Sequence, residues 1–140
     1  MFTPGISVDQ INQMGQNCMV GHLGIEVTEI GEDFIKAKMP VDERTKQPMG
    51  LLHGGASVAL AETLGSIAAS FAVDPSKQYC VGLDINANHV RSVKSGYVYG
   101  IAQPLHIGGT TQVWEIKITN EEDKLVSISR ITLAIMDIKK

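Results

Sequence analysis

Apolar positions recur along this chain with two periods, one suited to strands and one to helices. Ser7 followed by Gln10 has the form of a capping box, and Ile11 and Met14 give a short apolar edge, so a helix is predicted over about 7–17. Leu23, Ile25 and Val27 alternate with Gly24, Glu26 and Thr28, the period of a half-buried strand. Gly31-Glu32-Asp33 makes a turn, and Ile35, Ala37, Met39 and Val41 then alternate with Lys36, Lys38 and Pro40 as the second arm of a hairpin. Asp42 to Gly50 is a polar connection. An apolar helix is predicted from about Gly54 to Val73, stopped by Asp74-Pro75-Ser76 because the residue before proline is pushed out of helical space. Four strand-like runs follow, near 78–89, 95–106, 110–119 and 125–138, with Asn120 to Lys124 a charged hairpin loop between the last two. In the third run Trp114, Ile116 and Ile118 point one way, and Glu115, Lys117 and Thr119 the other. One long helix among about six strands predicts an α+β architecture, an antiparallel sheet with the helix on one face.

The long helix carries one acidic residue. At about 100° per residue, Leu60, Leu64, Ile67 and Phe71 form a bulky stripe almost opposite Glu62, the natural face to lay on a sheet. Around Glu62 fall Gly55, Val58, Ala59, Gly65, Ser66 and Ala69, all small except Val58. A solvated face would carry Lys, Arg, Glu and Gln, so this one is expected to meet another backbone or a ligand at close range. A carboxylate there either anchors packing, bonded to a backbone group or a buried Arg, or does chemistry.

His53-Gly54-Gly55 opens the same helix. Two glycines leave the first N–H groups unobstructed, and the helix dipole adds positive potential, a site for an anion or a polarised carbonyl oxygen. A glycine turn that only lets strand and helix pack closely is the plainer alternative. Gly54 and Glu62 are eight residues apart, about 12 Å along the axis. An oxyanion donor and a catalytic carboxylate must both lie about 3 Å from one reacting centre. If both residues are catalytic, a single helix cannot serve one substrate, and antiparallel helices of a homodimer with shared sites would.

Composition narrows the chemistry. The chain has 140 residues, 44% hydrophobic and 19% charged, with net charge −3, which fits one globular domain over 1–140 and no nucleic-acid partner. Cys18 and Cys80 are too few for a disulfide scaffold and lack metal-site spacing; both are expected as reduced cytosolic thiols. No signal peptide or membrane span is expected, since the most apolar stretch, Leu51 to Val73, contains His53, Glu62 and three glycines. There is no GxSxG elbow, Walker A loop or HExxH motif. Gln47 in the loop before the helix could bond a carbonyl or a water, or simply be solvated. Ser66, one turn after Glu62, could hold a water or bond back to the helix carbonyl four residues earlier. Two further segments suit phosphate: the basic run Asn86 to Lys94, with Arg91 and Lys94, and the Gly-rich turn His106 to Thr111; an exposed edge and a hairpin bulge are their plainer readings.

Gly50 to Glu62, with its His53-Gly54-Gly55 and Glu62, together with Gly82-Leu-Asp-Ile-Asn-Ala-Asn-His89-Val-Arg91-Ser92, closely resembles the hotdog-fold acyl-CoA thioesterases. The branch is that of the Arthrobacter-type 4-hydroxybenzoyl-CoA thioesterase. Within it, Pro40 to Pro48 strengthens a likeness to the bacterial 1,4-dihydroxy-2-naphthoyl-CoA thioesterases of menaquinone synthesis. The resemblance spans essentially the whole chain. It implies a hotdog fold, a long central helix wrapped by an antiparallel sheet, and side-by-side homodimers that pair as dimers of dimers. It puts the catalytic carboxylate on Glu62, the N–H that polarises the thioester carbonyl on Gly54, supporting positions on Gln47 and His53, and a hydroxyl on Ser66. CoA-binding positions fall on Gly82, on His89, Val90, Arg91 and Ser92, and on His106, Ile107, Gly108, Gly109, Thr110 and Thr111. No cofactor or metal is implied. The expectation is therefore a cytoplasmic thioester hydrolase for an aromatic acyl-CoA. The rivals are a proofreading thioesterase on an acyl or aryl carrier protein, a non-catalytic acyl-CoA-binding module and a hotdog hydratase.

Overall fold

The computed structural model describes Phe2 and residues 5–139. Its elements are α1 (Val8–Met14), α2 (Met19–His22), β1 (Glu26–Ile30), β2 (Ile35–Pro40), α3 (Gly54–Phe71), β3 (Gln78–His89), β4 (Tyr97–Ile107), β5 (Thr111–Thr119) and β6 (Leu125–Asp137). The six strands form one sheet in the order β1-β2-β4-β5-β6-β3, and each neighbouring pair is antiparallel. The sheet curls around α3, which contacts β2, β3, β4, β5 and β6, as the resemblance to the hotdog fold implies.

Local chemistry sets the element ends. Ser7 Oγ accepts the Gln10 N–H, and Gln10 Oε1 accepts the Ser7 N–H, so both halves of the capping box are made. α1 nevertheless ends at Met14, short of the predicted end. α2 has no counterpart in the sequence pattern, because a four-residue turn is too short to display a helical period. In the last hairpin, Asn120 Oδ1 accepts the N–H groups of Glu122 and Lys124, an Asx turn that absorbs the positive φ of Asp123.

Leu60, Leu64 and Phe71 of α3 are buried against Trp114, Ile116 and Ile118 of β5, as the stripe and the alternation predict. Three positions correct the wheel. Ile67 is half-buried and faces a groove beside α1 instead of the sheet. Gly65 and Ala69 are buried against the chain's own sheet, although the wheel groups them with Glu62. The cause is the curl of the sheet, which a projection onto one flat face leaves out. At Gly65 a Cβ would lie 2.5 Å from Ile131 Cγ2, and at Gly100 on β4 a Cβ would lie 2.7 Å from Leu64 Cδ1. Missing side chains thus let helix and sheet close to native packing density.

The two edges of the sheet differ. β1 is five residues long and is covered by α1. β3 is twelve residues long, stands at the other end, and exposes Tyr79, Val81 and Leu83. A long apolar edge is a template for pairing with another strand.

Gly65→Val drives two methyl groups into the stiff, β-branched Ile131, and the few tenths of a kcal/mol it adds in helix propensity do not offset that clash, so it should destabilise the fold by about 2 kcal/mol. Urea unfolding measures this; an unchanged midpoint would show that the contact between α3 and β6 is loose.

Candidate active site

The α3 N-terminus is built by the loop before it. Thr45 is buried; its Oγ1 donates to Pro40 O at 2.7 Å and its carbonyl accepts the His53 N–H at 2.8 Å. Leu52 N–H donates to Val93 O at 2.8 Å. Asp42, at the start of the loop, is tied to Arg44 at 2.7 Å, and that side-chain bond holds its carboxyl below the usual carboxylate range. Gln47 closes the tip: Gly50, at φ +82°, donates to Gln47 O at 2.9 Å, and Gln47 Oε1 accepts from the N–H groups of Met49 and Leu51. The Gln47 amide oxygen is therefore spent on the loop, while its Nε2 donors have no partner among the described residues.

The first-turn N–H groups of α3 are claimed selectively. His53 Nδ1 accepts the Gly55 N–H at 2.8 Å, and His53 O accepts from Ala56 at 3.0 Å and Ser57 at 3.2 Å. The Gly54 N–H has no acceptor among the described residues. His53 is thus the helix cap as well as a candidate site residue, a role its residue type does not advertise. With Nδ1 as acceptor, a neutral ring carries its proton on Nε2. A groove of about 400 Å³ opens here, lined by Gln47, Gly54, Ser57, His89, Val90, Arg91 and Ser92. The His89 ring lies over Gly54, where a Cβ would stand 2.9 Å from its Nε2, so the missing side chain lets the ring lie close over the helix start. Arg91 Nε donates to Leu125 O at 3.3 Å, which orients the guanidinium at the groove's mouth.

Glu62 stands apart from this groove. It is exposed and has no hydrogen bond or ion pair among the described residues, so the anchoring role is not realised. Its Oε2 would lie 3.1 Å from a Cβ on Gly82, beside the β-bulge between Gly82 and Asp84. Ser66 does not bond back to the helix; Thr63 does, to Ala59 O at 2.7 Å. The Ser66 hydroxyl lines a second groove with Glu62, about 390 Å³ in volume, whose walls include Ile11, Met14, Val20, Val27 and Ile67. Cys18, Asn12 and Thr63 also line it. The apolar pattern of 7–17 marks Ile11 and Met14 as facing something, but nothing local in the sequence ties them, or Cys18, to Glu62.

The turn His106 to Thr111 lies elsewhere again. It joins β4 to β5, and Ile135 N–H donates to Thr110 O at 2.9 Å near the end of β6. β3 begins at that end of the sheet, since Gln78 pairs with Asp137, whereas Arg91 follows the far end of β3. Within one protomer the structure therefore joins Gln47, His53, Gly54 and His89 to Ser92, joins Glu62, Ser66 and Gly82, and leaves His106 to Thr111 apart from Arg91. Among the described residues there is no group of three potential metal ligands and no helix long and apolar enough to cross a membrane.

A curled antiparallel sheet around one helix that opens on His-Gly-Gly and carries a lone carboxylate defines a hotdog thioesterase, and residues 49–127 match the Thioesterase superfamily. The chain belongs to that family and is a thioester hydrolase. It is 52% identical over 131 residues to the 1,4-dihydroxy-2-naphthoyl-CoA hydrolase of Escherichia coli strain K12, covering 94% of this chain and 96% of that protein. It superimposes on the crystal structure of a Haemophilus influenzae thioesterase with TM-score 0.96 and 49% identity, over 99% of this chain and 96% of that one. A variant thioesterase from Pseudomonas aeruginosa matches with TM-score 0.96 and 43% identity, over 98% and 99%.

The two thiols should react in a fixed order. Burial pushes the Cys80 thiol up, and it is half-buried against Ala69 O, whereas Cys18 is exposed on the Glu62 groove. Limiting iodoacetamide near neutral pH should label Cys18 and spare Cys80 in peptide mass spectrometry. Preferential labelling of Cys80 would contradict this arrangement.

Proposed function

We propose that the protein hydrolyses the thioester of an aromatic acyl-CoA, with 1,4-dihydroxy-2-naphthoyl-CoA, the compound named for the Escherichia coli relative, as its substrate. One observation carries the reading: α3 holds an unclaimed N–H at Gly54 and an unclaimed carboxylate at Glu62, on separate grooves about 12 Å apart along the axis. Neither is needed by the fold, and together they are the two groups that acyl transfer requires.

A homodimer brings them together. If two β3 edges pair antiparallel about a twofold axis between Ile85 and Asn86, Gly82 falls opposite the partner subunit's His89. Glu62 sits against Gly82, and His89 sits against Gly54. Each site then takes Glu62 from one chain and the Gly54 N–H from the other. The same pairing lays the start of one β3 beside the end of the other. The His106 to Thr111 end of one protomer therefore meets the Arg91 end of its partner, where both can hold the nucleotide phosphates of CoA.

In this site the Gly54 N–H, at the positive end of α3, polarises the thioester carbonyl and stabilises the oxyanion. Gln47 Nε2 adds a donor from the same groove, and the His53 cap keeps the helix start in place. Glu62 either attacks the carbonyl carbon, releasing CoA thiolate and leaving an anhydride that water hydrolyses, or takes a proton from water as that water attacks. Ser66 holds the water in both routes. The acyl group lies in the apolar groove below Glu62.

Glu62→Gln keeps the size and removes the basic oxygen, so kcat should fall by at least ~100-fold with the fold intact. Near-full activity on every member of a panel of aryl-CoA, alkyl-CoA and carrier-protein thioesters would overturn the assignment, and the panel identifies the substrate.

Shared sites make a second prediction. Glu62→Ala and Gly54→Pro chains, each inactive alone, give mixed dimers with one intact site after co-refolding. Random mixing makes about half the dimers mixed, so about a quarter of wild-type activity should return. Folding of the Gly54→Pro chain is checked by circular dichroism, and confirmed heterodimers without activity would refute the shared site.

A further inference from the structure

The Glu62 groove has walls of unequal strength. Its floor is α3, which is packed into the core, and one side is Val27 of β1, which is also buried. The opposite side is α1, which supplies Ile11 and Met14 but has no buried residue of its own. A seven-residue helix is too short to hold its shape without tertiary contacts.

Val8 and Ile11 pack the inner side of α1 against the core, and Asn12 supplies its hydrogen bonds to the sheet. Asn12 Nδ2 donates to Val27 O at 2.9 Å, and its Oδ1 accepts the Val27 N–H at 2.9 Å. One side-chain amide thus pairs with both backbone groups of Val27, as a neighbouring strand would, on the free edge of β1. Val27 stands next to a register shift against β2, between Val27 and Glu29, where the ladder is already interrupted. The Asn12 oxygen is committed to this pairing and so is not available to bond a substrate. Ile11, one residue earlier, and Met14, two residues later, line the groove together with Ile67 and Val20.

We propose that Asn12 is a positioning residue that pins α1 as the movable wall of the acyl-binding groove, and that this wall selects for large, flat acyl groups. The inference rests on the reading above, in which Glu62 meets the thioester at this groove. With the pin in place, Ile11 and Met14 clamp an aryl group against Ile67. Without it, α1 moves off β1 and the clamp opens. A short acyl chain does not reach α1 and is indifferent to it.

The test compares naphthoyl-CoA with acetyl-CoA on wild type, Asn12→Asp, Asn12→Ala and Gln13→Ala. Asn12→Asp keeps an acceptor for the Val27 N–H but sets a carboxylate against Val27 O. Gln13→Ala alters an exposed neighbour that does not line the groove. Loss of both hydrogen bonds in Asn12→Ala, and of one bond plus the carboxylate–carbonyl repulsion in Asn12→Asp, should raise KM for naphthoyl-CoA by about tenfold. The expected kcat stays within about twofold, since no group on the reacting atoms has changed. Acetyl-CoA hydrolysis and the Gln13→Ala variant should match wild type. Hydrogen exchange at the Val27 amide should accelerate in both Asn12 variants, and a non-hydrolysable naphthoyl-CoA thioether should slow it in wild type. If wild type hydrolyses naphthoyl-CoA through Glu62 while the Asn12 variants keep its KM, the pin is refuted and the functional reading stands. If wild type shows no Glu62-dependent hydrolysis of naphthoyl-CoA, the reading and the inference both fall. Equal losses on both substrates would mark Asn12 as a purely structural residue and overturn the selection role.

Discussion

The structure depends on one packing constraint: a single helix has to be wrapped by a sheet on most of its circumference while one strip stays open. Burial of Leu60, Leu64 and Phe71 supplies the hydrophobic drive. Close approach on the flanks is possible only where side chains are missing, at Gly65 against Ile131 and at Gly100 against Leu64. Ala61, Ala68 and Ala69 are fully buried on the same helix for the same reason. What the sheet leaves uncovered is the strip with Gly55, Val58, Ala59, Glu62 and Ser66. The site is therefore not added to the fold; it is the part of α3 that the sheet cannot reach.

That strip explains why a charged group is tolerated on so apolar a helix. Glu62 stays solvated in the single protomer and needs no partner. The first turn is ordered in the opposite way: His53 takes three of the first N–H groups through its ring and carbonyl and leaves that of Gly54. A donor with no acceptor and an acceptor with no donor sit at two places on one rod. On the function proposed above, their separation along the helix requires two rods to bring them to one thioester. The long, apolar, uncovered edge of β3 points to the same conclusion from the side of the sheet.

Much of this was legible in the sequence. The strand-like run read near 78–89 coincides with β3, and the capping box placed the start of α1 at Ser7. Glu62 and Gly54 stood out because a lone charge among small residues and a glycine pair at a helix start are local signals. The failures have physical causes. A helical wheel assumes a flat partner, so it misjudged Gly65, Ala69 and Ile67, which a curling sheet treats differently. Pairings distant in sequence left no trace: Asn12 with Val27, Cys18 beside Glu62, and His89 over Gly54 all arise from the topology. The His53 cap was hidden because histidine is not among the residues whose type predicts capping.

The two grooves divide the task unequally. The Gly54 groove is made by a loop locked through Thr45, Leu52 and Gln47 and by a helix start locked through His53. Such a frame suits groups that must not move, since a hydrogen-bond donor for a developing charge is effective only when its position is fixed in advance. The Glu62 groove has a fixed floor but borrows one wall from a short surface helix. On the function proposed above, the chemical step belongs to the Glu62 carboxylate at the mouth of the groove, so rigidity along its depth would add nothing to that step. The same scaffold can therefore keep one reaction constant while changes in α1 alter which acyl groups are admitted. Met14 of α1 is exposed and can vary in size, whereas Gly65 is held small by Ile131 Cγ2, which would lie 2.5 Å from a Cβ.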